Sequence, residues 1–130
     1  MPIRIDWDNT EQTILYVRYE GPWTWGDFYD AAKECAVLAS TVSHQVFVIA
    51  EMVGGFMPQG APFVHGEKVM KHATSAHMGF VVVVSDNRFV QSLVSVSSRI
   101  IPGWREKYRT ANTIAEARAL IEQEQQKIGI

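Results

Sequence analysis

Two short runs constrain this chain more than anything else in it. "QVFVIA" at 45–50 and "GFVVVV" at 79–84 are apolar without alternation and rich in β-branched and aromatic residues. Successive side chains of a strand point to opposite faces, so a strand with one wet face alternates apolar and polar residues. A strand that does not alternate is covered on both faces, and the usual cover is helices on a parallel sheet. Both runs fall far short of the roughly 20 apolar residues that span a bilayer, so no membrane insertion is expected. The rest of the chain must therefore supply helices.

It does so in regular order. Ile3, Ile5 and Trp7 alternate with Arg4 and Asp6, and "DNTEQ" turns the chain into a second strand over 13–19. That strand sends Ile14, Tyr16 and Arg18 one way and Leu15, Val17 and Tyr19 the other, which predicts an antiparallel hairpin. In "GPWTWGDF", Thr24 is the expected N-cap, Asp27 completes a capping box, and Trp23 and Phe28 stand at staple spacing. Trp25, Phe28, Ala32, Cys35 and Ala39 continue as the apolar stripe of the helix. A second helix is expected over 62–76, with Pro62 in its first turn. A third runs over 88–101, capped by "SDNR" and ended by Pro102-Gly103. A short strand around 108–110 follows, and Thr113-Ile114-Ala115-Glu116 is a capping box for a terminal helix to about 127. Its apolar stripe is Ile114, Ala117, Leu120, Ile121 and Ile128.

The order β-β-α-β-α-β-α-β-α predicts one α/β domain over 1–130, a mostly parallel mixed sheet with an N-terminal antiparallel hairpin. A chain of 130 residues has room for one core. Its net charge of −2 and pI near 6.1 leave no broad basic surface for a phosphate backbone, so no nucleic-acid partner is expected. Cys35 is the only cysteine, which excludes an internal disulfide and a cysteine-based zinc site. The first ten residues lack the apolar core of a signal peptide. Together these features predict a cytoplasmic protein.

The loop "EMVGGFMPQGAP" at 51–62 follows the first buried strand, at the carboxyl end of a sheet where ligands of open α/β folds sit. As a P-loop it fails, because Gly60 is followed by Ala61-Pro62 where a lysine and a hydroxyl are needed. Its positive content is Met52, Gly54, Gly55, Phe56 and Met57, with Phe63 just beyond. Flexible Met and Phe side chains in a glycine-rich setting suit an apolar pocket or a protein contact as well as a folded-back core segment.

The element order, the loop after "VFVIA", the "VVVVS" strand before a helix and the terminal "TIAEARALI" helix resemble the STAS domain and its SpoIIAA-like relatives, the anti-sigma-factor-antagonist fold. In the antagonist branch a Ser or Thr at the start of the helix after the central strand is phosphorylated, typically in Asp-Ser-Ser-Gly. Here Glu51-Met52-Val53-Gly54-Gly55 stands instead, and no Ser or Thr occurs between Ser43 and Thr74. The resemblance thus implies a non-catalytic protein-interaction module without the phosphoserine switch. The alternative is a carrier or sensor of a small, lipid-like apolar ligand at the 52–63 loop.

No catalytic residue, metal site or cofactor is assigned. His44, His65, His72 and His77 lack chelating spacing. Glu51 and Asp86 end neighbouring strands, so a catalytic site at that rim of the sheet would require them to converge with His65. The helix at 88–101 has one stripe of Val90, Leu93, Val94, Ser97 and Ile101. Phe89, Val96 and Ile100 widen it beyond what one sheet contact needs, which suggests a homodimer patch. The basic run "WREKYR" at 104–109 reads as a solvated loop.

Overall fold

The computed structural model describes residues 2–59, 64, 65, 68 and 78–127. Its strands are β1 (Ile3–Trp7), β2 (Ile14–Tyr19), β3 (Val46–Met52), β4 (Met78–Val84) and β5 (Tyr108–Ala111). They form a five-stranded sheet whose spatial order is the chain order. β1 and β2 are antiparallel, with Ile3 opposite Tyr19 and Trp7 opposite Leu15. The remaining pairs are parallel. The chain is thus α/β with a mixed sheet, as the patterning predicts.

The helices are α1 (Trp25–Ser40), α2 (Arg88–Ile100), the single turn α3 (Trp104–Lys107) and α4 (Ile114–Lys127). Of the expected helix at 62–76, Val64, His65 and Lys68 are helical, and its other positions lie outside the described residues, as does Ile128. When parallel strands advance one place at a time through crossovers of one hand, the crossover helices share a face. α1 and α2 accordingly line one cavity on the same face, and strand parity separates that face from the other. Leu15, Val17, Val46, Val48 and Ala50 are buried with Ala31, Cys35 and Ala39 of α1. Phe47, Ile49, Val82 and Val84 are buried on the other face with Ala117 and Ile121 of α4.

Local signals behave as the chemistry requires at α1. Thr24 Oγ1 accepts from Asp27 N at 3.0 Å and Asp27 Oδ2 accepts from Thr24 N at 2.9 Å, the complete box. Trp23 and Phe28 stand 6.2 Å apart across the staple. The stripe differs by one place, since Ala31 is buried where Ala32 is only partly so. At α2 the cap is Asn87, whose Oδ1 accepts from Phe89 N and Val90 N, while Ser85 Oγ accepts from Asn87 N. At α4, Thr113 Oγ1 accepts from Glu116 N, but Glu116 reaches back to Asn112 N.

Two expectations are corrected. β3 runs through Glu51 and Met52, because Arg18 and Tyr19 of β2 pair with them. The run at 104–109 is not a solvated loop. Trp104 is buried in α3 and stacks on Tyr108 with ring centroids 3.9 Å apart.

β4 carries a bulge that the sequence pattern hides. Val46 pairs with Met78 but Val48 pairs with Val81, so Phe47 faces both Gly79 and Phe80. Met78 and Val81 therefore share the α1 face although they are three residues apart. A Cβ on Gly79 would lie 2.5 Å from Phe47 Cδ2 and Cε2. Phe47 is 1% exposed and cannot swing away. Gly79→Ala should therefore destabilise the fold by about 1–3 kcal/mol, read as a lowered urea midpoint with the slope unchanged.

Candidate functional site

α1 lies against β1 and α2 against β5. Between them, on the α1 face, is a half-open cavity of about 190 Å³. Its floor is laid by every second residue of the strands: Val17 and Tyr19, Val48, Ala50 and Met52, then Val81 and Val83. Trp25, Phe28, Ala31, Ala32 and Cys35 of α1 make one wall. Val90, Leu93, Val94 and Ser97 of α2 make the opposite wall, with Trp104 and Tyr108 beside them. Small side chains at Ala31, Ala32 and Ala50 leave the space that larger ones would fill.

The glycine-rich loop borders this cavity in a divided way. Met52 and Met57 line it, whereas Phe56 turns outward, 40% exposed and edge-on to Trp23 at 6.3 Å. Val53–Gly55 is a 3₁₀ turn in which Gly54 has φ 77°, a conformation that favours glycine. Gly55 closes the same turn. Phe63 lies outside the described residues.

The loop is tied to the first turns of α1. Trp25 Nε1–H donates to Gln59 O at 2.8 Å. His65 stacks on Trp25 with centroids 4.4 Å apart, and its Nδ1 hydrogen-bonds Tyr29 Oη at 2.5 Å. Trp25 therefore serves as cavity wall and as anchor for the loop.

Glu51, Asp86 and His65 do not form a site. Alternation along β3 puts Glu51 on the α4 face with Phe47 and Ile49, while His65 is held by α1 on the other. Tyr16 Oη donates to Glu51 Oε1, and Arg18 stands 3.7 Å from the same carboxylate. Burial, then the bond to Glu51, raises the Tyr16 phenol above its ordinary value. This cluster closes the β2–β3 end of the α4 face. Asp86 is exposed. Among the described residues no group of three or more His, Cys, Asp or Glu is placed to hold a metal ion. Among them, too, no helix is long and apolar enough to cross a membrane.

The sequence reading placed the candidate site on the 52–63 loop and the adjacent sheet end, and missed Tyr19, Trp104 and Tyr108. For Tyr19 the signal was present, since its parity in β2 matches Val17. Trp104 sits in a four-residue helix, too short for any periodicity. Compared with models of protein families, with curated proteins and with solved structures, the chain finds no match.

The titratable groups of the cavity wall are protonated at neutral pH. Burial, then the nearby Glu34 charge, pushes the Cys35 thiol from 9.0 up to about 12. Burial pushes Tyr108 from 10.0 up to about 12, and raises Tyr19 further still. The folded state thus keeps protons that the unfolded chain releases, and folding stability falls as pH rises through that interval. The urea midpoint should hold below about pH 9 and decline from there toward pH 11. Cys35→Ala should flatten the first part of that decline.

Proposed function

We propose that this chain is a non-catalytic binding domain for a small apolar molecule held between α1 and α2. The cavity carries the reading. An engineered apolar cavity of about 150 Å³ stays dry and takes up benzene, and the space here, about 190 Å³, is larger and similarly lined. Ligand pockets are mostly apolar with a few polar groups, and Met52 and Met57 supply thioethers that adapt to a ligand's outline. The protonated Cys35, Tyr19 and Tyr108 offer no base or nucleophile at neutral pH.

Filling the cavity tests this reading. Ala50→Leu adds volume from the floor without disturbing the α4 face. Native mass spectrometry of the protein as expressed should show a small apolar adduct that Ala50→Leu loses while keeping or raising its melting temperature. An adduct retained at full occupancy by a folded Ala50→Leu protein would sink the idea.

A second reading rests on a different observation. Phe89, Val96 and Ile100 are 58%, 39% and 57% exposed on one stripe of α2. With the resemblance of the element order to the STAS domain, they support an interaction module, self-association included, that lacks the phosphoserine switch. Under this reading sedimentation equilibrium at micromolar concentration should show a dimer that Phe89→Glu converts to monomer. A wild-type monomer throughout would remove the patch from consideration.

A further inference from the structure

β1 stands at one edge of the sheet and β5 at the other. β5 spans four residues, with α2, α3 and α4 packed against it. β1 spans five and pairs with β2 alone. Glu20 N–H donates to Pro2 O and Asp8 N–H donates to Ile14 O, each at 2.8 Å. Hydrogen-bonded pairs alternate along an antiparallel ladder. The even-numbered residues of β1 therefore turn their N–H and C=O toward β2, and Ile3, Ile5 and Trp7 turn theirs to the open edge. Among the described residues no strand meets those groups.

Open edges are ordinarily blunted by a bulge, a proline or a lysine. From Ile3 to Trp7 the register with β2 is unbroken, and the sequence holds neither proline nor lysine. It holds instead a self-complementary order. Arg4 and Asp6 are exposed on the α4 face, two residues apart and opposite in charge. Arg4 shares Glu20 with Arg18, at 3.7 and 2.9 Å, while Asp6 makes no ion pair among the described residues.

When β1 lies antiparallel to a second β1 about Ile5, each Arg4 stands opposite Asp6 of the other copy. A parallel pair in register would set Arg4 on Arg4. The open backbone groups fall into place in the same antiparallel register: Ile5 exchanges hydrogen bonds with Ile5 of the other copy, and Ile3 with its Trp7. Arg4 and Asp6 then occupy the pairs without hydrogen bonds, where opposed side chains come closest. On the α1 face the pairing covers Ile5 and Trp7, which are half-buried.

We propose that two copies of this chain associate through β1, about a two-fold axis at Ile5, into one continuous sheet in which Arg4 and Asp6 of each copy pair with Asp6 and Arg4 of the other. Such an interface uses the same patch on both copies and closes at two. It is separate from the cavity and from the exposed stripe of α2, and depends on neither.

Charge reversal tests it. Arg4→Asp sets like charges against each other across the two-fold axis, and so does Asp6→Arg. Neither burdens the fold, since Arg4 faces Arg18 across β2 and Asp6 faces Tyr16; unchanged urea midpoints check this. Sedimentation equilibrium in the micromolar range should show a wild-type dimer, with the dissociation constant of each variant raised at least roughly tenfold. The two variants mixed in equal amounts should recover the wild-type dimer, because every introduced charge then faces its opposite. Phe89→Glu should leave the dimer unchanged. In the wild-type protein, amide exchange should slow at Ile3, Ile5 and Trp7 as concentration rises, while Arg4 and Asp6, already bonded to β2, keep their rates. A wild-type monomer throughout overturns the proposal. So does a dimer that either reversal leaves intact, that the mixture fails to restore or that Phe89→Glu dissociates. Concentration-dependent protection that falls on α2, or evenly along β1, overturns it without any variant.

Discussion

The alternation of side chains along β3 is the constraint from which the rest follows. Even-numbered residues, Val46 to Met52, face α1, and odd-numbered ones, Phe47 to Glu51, face α4. One strand therefore contributes both to the cavity floor and to the Phe47–Phe80 core, whose rings meet edge-on at 5.0 Å. A register slip of one residue would exchange the two sets, bringing Glu51 under the α1 layer and Ala50 under α4. The bulge at Gly79 keeps β4 in phase with this arrangement. It moves Met78 to the α1 face, where an unbroken strand would have put it on the other.

Much of the fold was legible because its determinants are local. The two unalternating runs called for cover on both faces, and α1 and α4 provide it. The α1 box needs only Thr24 and Asp27, three residues apart, and the hairpin needs only two alternating segments and a turn. The failures share a different origin. Gly79 and Phe80 read as two more residues of an apolar run, because a bulge is a property of a pair of strands. The burial of Trp104 depends on Tyr108 across a turn and on α2 above it, while Arg105, Glu106 and Lys107 gave its neighbourhood a solvated look.

The candidate site was legible only at its edge. Met52 and Met57 were singled out as apolar loop residues and do border the cavity. Phe56, between Trp23 and solvent, has the same sequence credentials and the opposite placement. Apolar stripes show which faces of α1 and α2 turn inward, but not whether the two helices meet over the sheet. The space between them depends on side-chain volumes at Ala31, Ala32 and Ala50, and on how far apart β1 and β5 hold the helices. Neither quantity has a period or a motif.

Trp25 joins two parts of the chain that are distant in sequence. Its indole forms part of the cavity wall, hydrogen-bonds Gln59 and stacks on His65. A molecule that orders this ring in the cavity also orders the anchor of the loop, and linkage makes the effect reciprocal. Residues outside the cavity, Tyr29 and His65 among them, would thereby influence the affinity of such a molecule. The first turn of α1 would in this sense be a thermodynamic relay between a molecule in the interior and what the loop presents at the surface.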